Sequence, residues 1–293
     1  YVTLRDDDWS VGDEGQRSDS QGASGKVSWW ENFDGKGSLR IQNSFYIAEM
    51  DQEGRIFSLK DCRTEYEYAR EPLNRWRLYR DVNVDYDAWE LGRMYEETEE
   101  ALTGDVRMEV RQEGRNLVVV LHRQEAYFTV DQRILFLADT ARIGFETRVD
   151  WRERHRILKV DFPTTVYTKE ALEEIQFGYL KRPTHRSGQY EQDLYETCHH
   201  KYAALTDGEN GFAVINDCKY GLSARDSTLS LTLLRAPVLP DMEADQGIHL
   251  FSYGILPFSG PFVHSRVPRE AYEWNVEPLG TGRTNSADCE PGM

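Results

Sequence analysis

The sequence predicts an all-β protein built as a large antiparallel sandwich, and two observations carry this prediction. Residues 143–151 alternate strictly, with Ile143 and Phe145 on one face and Glu146 and Arg148 on the other. Short runs rich in β-branched and aromatic residues also follow one another along the chain, separated by turn sequences, without the strand–helix alternation of a parallel sheet. Many closely spaced strands of this kind are typical of sandwiches.

The individual elements follow from the same pattern. Residues 39–50 predict one strand, residues 51–54 a hairpin turn and residues 55–59 the returning strand. One helical turn is predicted at 169–174. Further strands are predicted at 106–111, 116–122, 126–137, 141–151, 158–165, 174–180, 194–204, 211–217, 228–234 and 248–256.

The domain organisation follows from composition. Residues 6–36 are rich in Asp, Ser, Gly and Gln, which indicates a linker. We therefore expect a linker or mobile segment at 1–37, a β-sandwich domain at 38–280 and a truncated tail at 281–293. The chain begins without an initiator Met or a signal peptide and ends without a closing element, so we expect it to be part of a longer protein.

Charge and cysteine usage exclude several classes of function. The 293-residue chain has a net charge of −16, which argues against nucleic acid and anionic membrane surfaces as partners. No window approaches the roughly 18 apolar residues of a membrane-spanning helix. The cysteines are far apart and nothing else indicates secretion, so we expect reduced thiols in a cytoplasmic protein; they are Cys62, Cys198, Cys218 and Cys289.

Two clusters have residue types that bind metals. On a strand, Cys198 and His200 would share a face while His199 opposes them, and no second cluster of ligands lies nearby in sequence. A buried, hydrogen-bonded histidine is the simpler interpretation. The acidic residues 241, 243 and 245 have a spacing that suits Ca²⁺, but a solvated turn explains them as well. The sequence predicts no metal in this chain.

Candidate ligand-binding residues lie in two dense blocks, 174–185 and 216–221. Arg182 and His185 follow a predicted strand, next to a proline that fixes the direction of the chain. Asp217, Lys219 and Tyr220 stand at the end of another strand and suit hydrogen bonding to sugar hydroxyls. A turn network that satisfies itself is the alternative for each residue. Neither block has a nucleophile with its base, so no catalytic residue is predicted here.

Ordered motifs along the chain are similar to one enzyme family. The second block reads Asn-Asp-Cys-Lys-Tyr-Gly at 216–221, and the first includes Gln-Phe-Gly-Tyr-Leu-Lys-Arg-Pro-Thr-His at 176–185. With further stretches in the same order, they resemble the C-terminal β-domain of glycoside hydrolase family 38, the zinc-dependent α-mannosidases, and most closely its bacterial and cytosolic branch. The other stretches are 39–61, 78–89, 148–163, 233–247 and 251–275.

This resemblance implies a galactose-mutarotase-like supersandwich and a place in a retaining α-mannosidase that removes terminal α-linked mannose from oligosaccharides. In the family, the zinc ion and the aspartate nucleophile belong to an N-terminal β/α barrel, so both lie outside this chain. The β-domain is expected to pack on that barrel, and its loops to line the active site. The substrate-lining candidates remain Arg182, His185, Asp217, Lys219 and Tyr220. Homo-oligomerisation stays open.

Two other hypotheses fit an all-β fold. A stand-alone carbohydrate-binding module would use exposed aromatic residues and polar loop residues on sugar hydroxyls. A mutarotase-like sugar epimerase would need a His/Glu pair facing one sugar-sized cleft. Because one fold hosts many functions, the fold class alone does not choose among these hypotheses.

Overall fold

The computed structural model of the chain describes residues 25–32, 38–81 and 85–277. Strands dominate them, as predicted. They are β1 (Ser28–Asn32), β2 (Ser38–Gln42), β3 (Tyr46–Met50), β4 (Ile56–Asp61), β5 (Arg75–Arg80), β6 (Glu99–Glu100), β7 (Asp105–Glu113), β8 (Asn116–Gln124), β9 (Phe128–Phe136), β10 (Ile143–Trp151), β11 (Arg156–Pro163), β12 (Glu170–Ile175), β13 (Gly178–Pro183), β14 (Thr197–Cys198), β15 (Tyr202–Thr206), β16 (Asn210–Asn216), β17 (Gly221–Arg225), β18 (Thr228–Arg235) and β19 (Gly247–Ser259). The α-helices are α1 (Gln189–Asp193) and α2 (Val267–Asn275), and short 3-10 helices cover Arg93–Glu97 and Phe262–His264.

Three sheets organise these strands in the described part of the chain. Their orders are β1-β2-β3-β4, β13-β12-β15-β16-β19-β10-β9-β8-β7 and β14-β17-β18-β11-β5-β6. Neighbouring strands in all three sheets run antiparallel. The predicted antiparallel all-β class is therefore confirmed.

The nine-stranded and six-stranded sheets pack face to face around an aromatic centre. Phe162 of the six-stranded sheet lies 6.3 Å from Phe145, 6.3 Å from Phe212 and 6.1 Å from Tyr253, measured between ring centroids. All four side chains are fully buried. Ring pairs at such distances add to the burial of apolar area, so this cluster holds the two sheets together.

Strand β19 joins the two halves of the nine-stranded sheet. It pairs with β10 from Ile143↔Ile255 to Trp151↔Gly247, and with β16 from Asn210↔Ser259 to Asn216↔Tyr253. Helix α2 covers the outer face of this region, where Val267 and Ala271 are fully buried against the sheet. The guanidinium of Arg142 lies 4.8 Å from the centre of the Trp274 ring and its Nη1 lies 2.8 Å from Glu270 Oε2.

The structure corrects several element predictions. The predicted strand 39–50 is two strands, because Asn43 makes a turn in which its Oδ1 accepts the backbone N–H groups of Phe45 (2.9 Å) and Tyr46 (3.0 Å). The helical turn predicted at 169–174 is wrong, because residues 170–174 lie in β12, between β13 and β15. The predicted strand 174–180 crosses a hairpin turn at Phe177, which has a positive φ of 66°.

The N-terminal region also differs from its prediction. Strand β1 lies inside the segment expected to be a linker and pairs with β2 from Ser28↔Gln42 to Asn32↔Ser38. Val27 and Trp29 are buried there. Residues 1–24 and 33–37 of that segment, and the tail predicted at 281–293, lie outside the described residues.

Candidate functional site

The two sequence blocks meet at one end of the nine-stranded sheet. Glu174 on β12 accepts hydrogen bonds from the backbone N and the Nζ of Lys201, both at 2.9 Å. The backbone N–H of His200 donates to Glu174 O at 3.0 Å. The His200 ring in turn stands edge-on to Tyr220, with 5.3 Å between centroids. The segment at 199–201 therefore connects the first block to the second.

The buried His199 ring forms hydrogen bonds that hold the segment at 199–201 to the second block. Its Nδ1 lies 3.0 Å from Tyr220 O, and its Nε2 lies 3.0 Å from Asn216 Nδ2. The amide Nδ2 can only donate, so Nε2 is the acceptor and Nδ1 carries the proton that is donated to Tyr220 O. Burial lowers the pKa of His199 to about 4, so the ring is neutral at pH 7.

Asp217 ties the second block to β19 and α2. Its Oδ2 accepts the backbone N–H (2.9 Å) and the hydroxyl (2.7 Å) of Ser252. The Ser252 hydroxyl oxygen accepts the indole N–H of Trp274 at 3.0 Å. Asp217 Oδ1 is buried and has no hydrogen-bond partner in the described part of the chain.

Lys219 and Tyr220 complete this cluster, with Lys219 partly buried and Tyr220 exposed. The Nζ of Lys219 lies 4.4 Å from the centre of the Phe251 ring, and burial lowers the pKa of the amine. Tyr220 is 46% exposed. A cation over an aromatic ring and an exposed phenol can bind hydroxyl or anionic groups. They do not form an acid/base pair for hydrolysis.

Arg182 and His185 lie elsewhere. Arg182 Nε is 2.8 Å from Glu173 Oε2, and its Nη2 donates to Cys198 O at 3.4 Å. Glu173 is fully buried, and burial raises its pKa to about 7 despite the arginine. His185 Nδ1 lies 3.1 Å from Ser187 Oγ. The structure thus unites Asp217, Lys219 and Tyr220, holds Arg182 beside β14, and shows no hydrogen bond from His185 to the other four.

Sequence reasoning missed two partners of this site, Ser252 and Trp274. Ser252 is an ordinary polar residue in a strand, so no local pattern distinguishes it. Helix α2 does carry a start signal, since Pro268 stands in its first turn and Glu270 follows. That signal predicts the helix, but not which face of the sheet the helix covers.

The metal candidates do not fit a metal in this chain. Both ring nitrogens of His199 are engaged as described, and Asp241 Oδ1 accepts the N–H of Glu243 at 2.9 Å within its own turn. No group of three or more His, Cys, Asp or Glu side chains in residues 25–32, 38–81 and 85–277 is arranged to hold a metal ion. These residues therefore offer no site for a catalytic zinc ion.

Three further observations bear on the hypotheses. A cavity of about 230 Å³ opens between the β6 and β7 edges and has Glu53, Glu99 and Glu100 in its wall, but no histidine, so it does not offer the pair that an epimerase needs. Cys62, Cys198 and Cys218 are free thiols, and Cys289 lies outside the described residues. In the described ranges no helix is long and apolar enough to cross a membrane.

Comparison with known proteins identifies the family. The family model "Glycosyl hydrolases family 38 C-terminal domain" matches residues 41–243. This chain belongs to glycoside hydrolase family 38. The match covers both sequence blocks, including Asp217, Lys219 and Tyr220, and it confirms the resemblance found in the motifs.

Alpha-mannosidases are among the relatives found by sequence and by structure. Human alpha-mannosidase 2C1 is 35% identical over 83% of this chain and 24% of its own length. Alpha-mannosidase G of Dictyostelium discoideum is 33% identical over 84% of this chain and 23% of its own length. An alpha-mannosidase crystal structure from Enterococcus faecalis V583 has a TM-score of 0.66 at 14% identity, covering 80% of this chain and 30% of that one, which shows a shared fold. The chain thus spans about a quarter of the curated relatives' length.

Proposed function

We propose that this chain is the C-terminal domain of a retaining, zinc-dependent α-mannosidase that removes terminal α-linked mannose from oligosaccharides. The observation that carries the proposal is the similarity to family 38 α-mannosidases along more than four fifths of the chain. The nucleophile, the acid/base carboxylate and the zinc ligands then lie in the N-terminal barrel of the same polypeptide. The full-length protein is proposed to be cytoplasmic.

The proposed role of this domain is to pack on the barrel and to contribute loops to its active site. Asp217, Lys219 and Tyr220 support this role because they lie together, with Asp217 anchoring the loop that carries a partly desolvated amine and an exposed phenol. The amine and the phenol suit hydrogen bonds to sugar hydroxyls. Arg182 and His185 stay in the proposed lining on the basis of the sequence alone, because Arg182 pairs with Glu173 and His185 contacts Ser187.

An assay of the full-length protein tests the proposal. We expect it to hydrolyse an aryl α-mannoside, to lose activity with a zinc chelator and to regain it with zinc. The present chain alone is expected to be inactive. Turnover by this chain alone without added zinc would contradict the proposal. Calorimetry with mannose distinguishes the proposed function from the binding-module hypothesis. Heat of binding to this chain alone would support the binding module.

A substitution tests the lining. In the full-length enzyme, Asp217→Ala should lower kcat/KM, because no carboxylate then holds the loop of Lys219 and Tyr220 to Ser252. Asp217→Asn keeps one acceptor oxygen for Ser252 and separates loss of charge from loss of anchoring. If kcat/KM and stability are both unchanged in Asp217→Ala, Asp217 does not belong to the site.

A further inference from the structure

The tip of the β12–β13 hairpin, residues 175–180, projects beyond the body of the sheet. Strand β12 pairs with β13 along its whole length, but with β15 only at Leu172↔Ala204 and Glu173↔Ala203. Residues 176–180 are all exposed. A side chain built on Gly178 would meet no atom within 4 Å. The end of the tip around Phe177 and Gly178 therefore stands in solvent.

Phe177 occupies the end of this tip in an unfavourable state. It is fully exposed, at 110% of the reference area, and its φ of 66° lies in the left-handed region. Exposure of a large apolar ring and a left-handed backbone at a residue other than glycine each cost free energy. Two such costs at one residue indicate that the Phe177 ring has a binding partner outside this chain.

The tip is also apolar in a strongly charged protein. Residues 175–180 contain no charged side chain, although Asp, Glu, Lys and Arg make up 29% of the chain. Leu180 is 43% exposed, whereas Tyr179 stands edge-on to Phe262 with 5.4 Å between centroids. The Tyr179 contact anchors one side of the tip next to the turn, so the apolar end is presented in a defined direction. An uncharged projection of this kind suits insertion into an apolar pocket.

We infer that the β12–β13 tip docks, through Phe177, into an apolar pocket on the remaining part of the same polypeptide. The inference rests on the proposed function, and it names the element that makes the contact. The length of the relatives indicates where the pocket lies. About three quarters of each curated relative lies outside the segment matched by this chain. A projecting apolar tip on a domain with so much attached chain finds its partner at a high effective concentration.

Thiol accessibility in the full-length protein tests the docking. Gln176→Cys, at the exposed neighbouring position, keeps Phe177 in place; it is labelled with a maleimide under native conditions, and the modified peptide is followed by mass spectrometry so that the natural cysteines do not interfere. Tyr167→Cys is the matched control, because Tyr167 is 68% exposed on a loop away from the tip. We expect the new thiol of Gln176→Cys to react at least about tenfold more slowly than the new thiol of Tyr167→Cys. Neither substitution is expected to prevent folding, since both side chains lie largely in solvent.

Each outcome decides the inference. Equal labelling rates at the two positions would overturn it. Protection at 176 that disappears when the protein is diluted to a monomer would also overturn it, because the tip would then bind a second copy. Protection that persists in the monomer supports it. The readout does not use catalysis, so a full-length protein that protects position 176 but hydrolyses no mannoside would refute the proposed function and leave the docking intact.

Discussion

At the scale of single residues, the buried ionisable groups matter most. His199 was predictable as a buried, hydrogen-bonded histidine, because no second ligand cluster accompanies it in sequence. Its partners were not predictable, since it is the pairing of β15 with β16 that places Asn216 and Tyr220 next to it. Glu173 gave no sequence signal at all. Its side chain points between the sheets only because β12 pairs with β15 in one register.

His199 should make stability increase with pH. Its pKa falls from 6.5 to about 4 in the folded state, so below pH 6.5 the unfolded chain binds a proton that the folded chain does not. Going from pH 7 to pH 5, this group alone removes about 2 kcal/mol of unfolding free energy. His199→Asn should lack this loss in urea titrations at the two pH values. The exposed control His264→Asn should keep the wild-type pH dependence, and identical behaviour of both variants would refute the assignment.

Glu173 should have the opposite effect. Its pKa rises from 4.5 to about 7, so the folded state holds a proton that the unfolded state has lost, and stability falls as pH rises through this window. The size is again about 2 kcal/mol between pH 5 and pH 7. Glu173→Gln should therefore gain stability with rising pH relative to wild type, while Glu170→Gln, exposed on the same strand, should not. The two buried groups offset each other in the wild-type protein.

At the scale of elements, alternation predicted strands well and turns poorly. The run 143–151 became β10 with Ile143, Phe145 and Val149 buried, as its period of two predicts. Hairpins without glycine-rich turns were missed. The turns at Asn43 and Phe177 rely on a side-chain cap and on a strained backbone, and neither interrupts the apolar pattern of the sequence.

Asn43 should be essential to the β2–β3 turn. Its Oδ1 accepts two backbone N–H groups, and its Nδ2 donates to Leu137 O at 2.8 Å and Thr140 O at 3.2 Å. Asn43→Ala should cost about 2–4 kcal/mol, because these buried groups lose their partners. Ser44→Ala, at the exposed neighbouring position, should stay within about 0.5 kcal/mol of wild type. Chemical denaturation measures both, and an equal effect of the two changes would contradict the role of Asn43.

At the scale of the whole molecule, the sequence predicts the class of fold but not its sheets. Most strands were found in order, yet their pairing depends on contacts far apart in the chain. Strand β5 leaves the sheet of β4 to join β11, and β19 inserts between β10 and β16. The Asp217 cluster shows the same dependence, since Ser252 and Trp274 come from elements that are distant in sequence. The likeness to galactose mutarotase remains a prediction.

Because β19 lies between β16 and β10 in the middle of the nine-stranded sheet, we expect that a piece of this protein without β19 does not fold. The family match ends at residue 243, before β19 begins at Gly247. A chain cut at that match would leave β10 and β16 as two unpaired edges with Phe145 and Phe212 uncovered between them, and such edges aggregate. We expect protein ending at Glu243 to be recovered as aggregate by size-exclusion chromatography, and protein ending at Glu277 as a folded species. A useful C-terminal boundary for this domain therefore lies after β19, where the nine-stranded sheet is complete, and not at the end of the family match.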